Sequence, residues 1–282
     1  MPAPFDRTRE DVGNIVGLEH VNVTVPDPRL ATLFYIVGLG FTRDPYLMVG
    51  DWNMWVNLGR HQFHLPTAAP QVLRGVVGVV VPDLDRVRRQ LAGVAPALAG
   101  TRYAMSDAGT HLDLVCPWGN RIRCHAPGPQ FPGMRLGMPY VEFEVPAGAA
   151  DGIARFYREI FGAPARVADG VAIVTVGPGQ VLRFRETTGP QAPYDGHHIA
   201  IYIADFAGPL AKLAGRGLVT RDEAEHEWRF QTIVDPATGA PLFDIEHEVR
   251  SLTNPLWARP LVNRNPDQSN IGYEPGRDAF HG

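Results

Sequence analysis

Cysteine is nearly missing: the 282 residues contain two, Cys116 and Cys124. Two thiols cannot make a disulfide framework, and they fit a reduced, cytoplasmic setting. No run of about 18 or more apolar residues occurs, so no segment is expected to span a bilayer. The first residues, MPAPFDRTREDVGN, carry early charge and lack an apolar stretch, so no secretory signal is expected. Excess charge of one sign is lacking as well. With 26 basic and 30 acidic residues the formal net charge is -4, which leaves no electrostatic footprint for nucleic acid or an anionic membrane. What is present is 45% hydrophobic and 20% charged, enough apolar content for a full core. The 30 glycines and 26 prolines, spread without a short period, read as tight turns between short elements. The length suggests about two domains.

An internal repeat organises the chain. Four strand-like runs, at residues 18–28 (LEHVNVTVPDP), 74–85 (RGVVGVVVPDLD), 139–148 (PYVEFEVPAG) and 197–206 (HHIAIYIADF), each lead into a loop and a helix-like stretch. Their Val/Ile content, alternating or nearly continuous, marks strands buried on one or both faces. Anchored at Val25, Val81, Val145 and Ile203, they lie 56, 64 and 58 residues apart. Amphipathic helices are expected at 30–37, 84–91, 153–161 and 206–213. The first and third carry the same pair, Phe34-Tyr35 and Phe156-Tyr157, and both end at a glycine, Gly38 and Gly162. Two or three short strands follow each helix. The expected class is α+β: four βαβββ units in tandem, each a small curved sheet open on one face, which must pair with another.

The motif HVNVTVPD, the helix ending FYIVGLGF, the turn and strand CPWGNRIR and the strand HHIAIYIAD together resemble the vicinal oxygen chelate superfamily. That family includes glyoxalase I, extradiol dioxygenases, fosfomycin-modifying enzymes and bleomycin-binding proteins. The resemblance covers about residues 16–250. It implies two domains, residues 14–130 (units 18–66 and 74–127) and 138–250 (units 139–187 and 197–250). Residues 251–282, rich in Pro and Asn, are expected to form an extended arm packed on the body or on a second subunit.

The resemblance also implies where ligands sit: mid-first strand and last strand of each unit. The first-strand places are His20, Val76, Tyr140 and His198; the last-strand places are His64, Arg123, Arg183 or Arg185, and Glu246. Ligand-type residues therefore occur only in units one and four. Pairing of neighbouring units would give each half two ligands, below the three that a catalytic centre needs. Pairing of unit one with four, and two with three, collects His20, His64, His198 and Glu246 in one cleft. Three imidazoles and a carboxylate suit one divalent ion of Fe, Mn, Co, Ni or Zn, and leave two positions of an octahedron for a substrate's oxygens.

Each of these residues has a plainer role open to it. His20 fits equally as a core histidine bonded to a carbonyl. His61 and His197 neighbour the chosen histidines, and strand alternation lets one of each pair face the cleft. Strict counting from Gly239 puts Phe243 at the fourth place. Glu246 is chosen because EHE is a costly charged run in an apolar strand, with Glu248 on the same face as the alternative. Glu142 and Glu144 read as the solvent face of a strand, while Trp52, Asn53 and Trp55 line the cleft or belong to the core. Arg123, Arg183 and Arg185 are candidates for binding a carboxylate, and residues 194–198 (YDGHH) for a loop at the cleft mouth.

Three functions compete. A glyoxalase I-like lyase or isomerase would act on a small molecule chelating the ion through adjacent oxygens, with Glu246 doubling as catalytic base. An extradiol-type dioxygenase needs two histidines and one carboxylate on Fe(II), but Tyr140 stands where its first histidine belongs. A metal-free binding protein needs none of these residues. The expected partner is a small molecule, not nucleic acid or membrane, and the expected assembly is a monomer or homodimer.

Overall fold

The computed structural model describes residues 7–44, 47, 52–259 and 261. Two eight-stranded sheets are built from sixteen strands. Unit one contributes β1 (Ile15–Asn22), β2 (Thr42–Arg43), β3 (Asn53–Leu58) and β4 (His61–Pro66). Unit two contributes β5 (Gly75–Val80), β6 (Ala104–Asp107), β7 (His111–Val115) and β8 (Arg121–His125). Units three and four follow with β9 (Gly137–Pro146), β10 (Ala165–Ala168), β11 (Val171–Gly177) and β12 (Gln180–Thr187), then β13 (His198–Ile203), β14 (Val219–Ala224), β15 (Glu227–Val234) and β16 (Pro241–Ser251). The strand order is β14-β15-β16-β13-β1-β4-β3-β2 in the first sheet and β10-β11-β12-β9-β5-β8-β7-β6 in the second.

The pairing is therefore crossed. β1 runs antiparallel to β13, joining unit one to unit four, and β5 runs antiparallel to β9, joining two to three. Within each unit the last strand lies parallel to the first, as a crossover helix requires.

The helices are α1 (Pro28–Ala31), which continues as a π-helix over Thr32–Gly38, then α2 (Leu84–Val94), α3 (Ala150–Phe161) and α4 (Ala207–Ala214). The Asp27 carboxylate accepts from the backbone N–H of Arg29 and Leu30 and so starts α1, and Asp83 does the same for α2 through Arg86. Gly162, at φ 64°, closes α3 in the left-handed region where a side chain is disfavoured. α3 joins the two sheets. Tyr157 lies against Phe184 of the second, while Phe156 meets Phe230 and Phe161 meets Trp228 of the first. All of these rings are buried, so truncating any of them would cost about 3–5 kcal/mol. With the core gathered behind the sheets, one face of each is left for polar residues. Among the described residues no helix is long and apolar enough to cross a membrane.

Three edge strands, β2, β10 and β14, have no counterpart in the sequence reading, because edge strands need no apolar stripe. In β14, VTRDEA, five of six residues are exposed. The C-terminal segment packs onto the body as far as it is described: Trp257 lies against Tyr202, and Arg259 pairs with buried Asp44 at 2.7 Å. The rest of the expected arm, 260 and 262–282, lies outside the described residues.

Candidate metal centre

The cleft face of the first sheet collects histidines from both ends of the chain. His20 on β1 lies 5.7 Å, ring centre to ring centre, from His64 on β4 and again 5.7 Å from His198 on β13. One ring nitrogen of each lies within 4.8 Å of one of the other two. Nε2 of His20 and Nε2 of His198 are buried with no hydrogen-bond partner, a costly condition unless something else uses the lone pair. Burial keeps His20 neutral, although Glu19 works against this. Burial and the neighbouring His20 and His198 push His64 down to about 2. His20 and His64 thus offer lone pairs rather than charge.

The supporting residues come from the same strands. Trp55 on β3 stacks on His64 at 3.8 Å. His64 is held at both nitrogens, by the amide of Asn22 and by Oδ1 of Asn53, each at 2.7 Å. One amide must turn away for His64 to face an ion. Trp52 is exposed, so of the residues expected to line the pocket, Asn53 and Trp55 do so and Trp52 does not. His197 points to the opposite face and pairs with Asp195. His61 accepts from the Met138 backbone N–H at 2.9 Å and helps tie β4 to the second sheet.

A break in strand alternation adds a residue the sequence did not reveal. The β1–β13 register shifts between Leu18 and His20, so Glu19 is an extra residue in a β-bulge. Consecutive residues then share the cleft face: Glu19 Oε2 meets His20 Nδ1 at 2.9 Å, and Glu19 Oε1 accepts from the Tyr202 hydroxyl at 2.6 Å. This bond holds the proton on His20 Nδ1 and leaves Nε2 as the free donor atom. Beyond it lies an ionic network. Arg250 pairs with both Glu19 and Glu248, and Arg229 with Glu227 (2.9 Å), Glu246 (2.8 Å) and Glu248 (2.6 Å). Four carboxylates face two guanidiniums, a formal surplus of two negative charges beside the three imidazoles. Burial and the nearby Glu248 raise Glu227. Burial opposes ionisation of Glu248 too, yet His198 at 3.5 Å and the guanidiniums of Arg250 and Arg229 hold it well below the usual carboxylate range.

Glu246 and Glu248 occupy different places in the register. In unit one His64 pairs with Asn22, two residues beyond His20. In unit two Arg123 pairs with Gly78, two beyond Val76; in unit three Arg183 pairs with Glu142, two beyond Tyr140. The same offset in unit four selects Glu248, which pairs with Ala200, whereas Glu246 pairs with His198 itself. Glu248 Oε2 lies 3.5 Å from His198 Nε2, the unpartnered nitrogen; Glu246 Oε1 lies 3.7 Å from Nδ1. Strict counting from Gly239 reaches Phe243 instead, because the β15–β16 hairpin contains register shifts, one of them beside the DPATGAP turn.

No sequence-family profile matches this chain, and no curated protein matches it. Solved structures do. Glyoxalase I from Zea mays aligns at TM-score 0.57 and 14% identity over 88% of this chain and 96% of that one. A Bacillus subtilis protein provisionally described as a dioxygenase aligns at 0.57 and 16%, over 87% and 88%. The cppA protein of Streptococcus pneumoniae aligns at 0.52 and 12%, over 86% and 100%. Identities this low speak to the fold alone. Two mixed sheets of tandem βαβββ units, aligned end to end with such structures, give this chain the fold of the vicinal oxygen chelate superfamily.

Proposed function

We propose that the first sheet holds one divalent metal ion and that the protein is a metal-dependent lyase or isomerase acting on a small molecule with two adjacent oxygens. The observation that carries this reading is the convergence of His20, His64 and His198, two of them with buried, unpartnered Nε2 atoms, beside a network with two surplus negative charges. An ion of charge two satisfies both conditions at once. Glu248 rather than Glu246 supplies the carboxylate, on the register argument. Three nitrogens and one oxygen suit Fe, Mn, Co, Ni or Zn.

A bound ion would polarise the substrate's oxygens as a Lewis acid. The protein's own groups do the rest. Glu19 fixes the tautomer of His20, Asn22 and Asn53 orient His64, and Trp55 walls one side of the cleft. Glu248, held ionised, is the group placed to take a proton from a carbon next to a carbonyl and return it to the neighbouring carbon. Arg229 and Arg250 keep Glu248 fixed between them.

A second reading has its own support. His20, His198 and Glu248 form the two-histidine, one-carboxylate set that Fe(II) oxygenases use, now drawn from units one and four, and Tyr140 lies on the other sheet where it does not bear on the question. Elemental analysis of protein purified without chelator or affinity tag tests the metal: about one ion per chain is expected, and none, with no stabilisation by added Fe, Mn, Co, Ni or Zn, overturns it. Oxygen uptake with a catechol separates the two reactions, since an isomerase consumes none.

A further inference from the structure

The second sheet repeats the geometry of the first with different chemistry at the four equivalent places. Val76, Arg123, Tyr140 and Arg183 stand where the first sheet has His198, Glu248, His20 and His64, as the shared register shows. Tyr140 is 4% exposed and lies across Gly78, where a Cβ would fall 2.2 Å from the ring; any side chain there would lift it. The Tyr140 hydroxyl meets His125 Nε2 at 2.9 Å, and burial, with the charges of His111 and Arg123, lowers His125 to about 4, so it is neutral.

Four arginines share this face with three carboxylates. Arg121 pairs with Glu144 at 2.5 Å, Arg123 with Asp113 at 2.6 Å and Arg185 with Glu142 at 2.9 Å. Arg183 has no carboxylate and no hydrogen bond among the described residues. Its guanidinium lies 4.3 Å from the centre of the Tyr140 ring, and its Nε is buried without a partner. A stacked guanidinium keeps its in-plane N–H groups free to grip a carboxylate edge. A cleft of about 360 Å³ is lined by Val76, Arg123 and Glu142 of this sheet, and Glu142 is the strand partner of Arg183.

From this we infer that the second sheet is a metal-free binding site for a small monocarboxylate, gripped by Arg183 with the Tyr140 hydroxyl beside it and its apolar part over Val76. The face has one cation in surplus, so a single negative charge completes it, whereas a phosphate dianion would leave the imbalance reversed. A planar two-oxygen group also matches the fork of Arg183 better than a tetrahedral one. The site does not depend on the metal reading, since none of its residues touches the histidine cluster.

The test is titration of the full-length protein with sodium benzoate, sodium acetate and inorganic phosphate, followed by calorimetry and by NMR of Tyr140 and His125. Benzoate should bind saturably, tighter than acetate and much tighter than phosphate, and should shift Tyr140 and His125 resonances. Arg183→Gln should abolish this binding. Arg183→Lys, which keeps the charge and loses the fork, should weaken it about tenfold, and Tyr140→Phe, which keeps the stack, should weaken it several-fold. Because carboxylates can also reach a metal, Arg183→Gln is compared with wild type at equal metal content, so that the difference belongs to this face. No saturable benzoate binding, phosphate binding tighter than benzoate, or equal binding by wild type and a folded Arg183→Lys or Arg183→Gln variant would each overturn the inference.

Discussion

Replacing Glu248 by Gln should weaken metal binding far more than the same change at Glu246, although the two residues are neighbours on one face of β16. Glu248 is 4% exposed at its side chain against 19% for Glu246, and it faces the unpartnered nitrogen of His198. At about 4 Å and an effective dielectric of about 20, one unit-charge pair is worth about 4 kcal/mol. Arg229 and Arg250 already offset part of the Glu248 charge, and both lose a partner when it is neutralised. The net loss in metal affinity should therefore be about 2–4 kcal/mol, or about 30- to 1,000-fold. Glu246 pairs with Arg229 and is farther from the nitrogens, so Glu246→Gln should cost less than about tenfold. Isothermal titration with Zn(II) or Ni(II) gives the affinities. Urea unfolding of each variant shows whether the fold survives, since stranding part of a buried ionic network costs up to about 3 kcal/mol. If Glu246→Gln loses the metal and Glu248→Gln keeps it, the register argument is wrong. If both variants keep it within threefold, the centre has no carboxylate ligand.

His20→Ala, His64→Ala and His198→Ala should each weaken metal binding at least as much as Glu248→Gln, while Arg123→Ala and Arg183→Ala leave it unchanged; elemental analysis after dialysis reads both. Glu19→Gln should keep the fold but lower metal affinity about 10- to 100-fold, because His20 loses the carboxylate that fixes its tautomer; ¹⁵N chemical shifts of the His20 ring report that tautomer directly. Acid should destabilise the protein through His247, which burial lowers to about 4 and which bonds Tyr157 and the Ile245 carbonyl. Below pH 6.5 the unfolded chain takes up a proton that the folded one refuses until about pH 4. Stability is thus lost as pH falls through that window, by about 2.5 kcal/mol at pH 4.5 for this group. A Tyr157→Phe/His247→Phe double variant should lose that share of the pH slope in urea unfolding, and an unchanged slope would refute the assignment. Residues 1–130 expressed alone should not form a stable fold, because each sheet takes half its strands from the other half of the chain; circular dichroism and hydrogen exchange would show it.

The central strands were legible because they are buried on one or both sides. β1, β5, β9 and β13 each print an apolar run, and their spacing alone disclosed four units. The crossed pairing was legible indirectly: the residue types at the expected places favoured one arrangement, though apolar periodicity could not rank the two. One cause of what was hidden is a local break in strand alternation. The bulge at Glu19 puts a residue on the cleft face that strict alternation assigns to the core, and the shifts in the β15–β16 hairpin keep a count from the DPATGAP turn from reaching the matching position of β16. Bulges have no reliable sequence mark except a charge in an apolar strand, and IVGLEHVN carries one. Arg229, Arg250 and Tyr202 were hidden for another reason. Their roles exist only in the assembled sheet, where residues 183 and 231 positions apart in sequence meet around Glu19.

The two sheets share backbone geometry and differ in the sign of the charge they leave uncompensated. On the first, four carboxylates against two guanidiniums, beside three imidazoles, call for a cation. On the second, four guanidiniums against three carboxylates, with a neutral histidine, call for an anion. The repeat supplies four side-chain places at a fixed register in each sheet, and their identity decides what fills the space between them. A single exchange tests how far that rule reaches. Arg183→His restores an imidazole at the place of His64, but Val76 and Arg123 remain at the places of His198 and Glu248. Two potential donors, Tyr140 and the new histidine, fall short of the three protein ligands that a catalytic ion needs. The second sheet of that variant should therefore bind neither benzoate nor metal, and metal content should stay at about one ion per chain rather than rise to two.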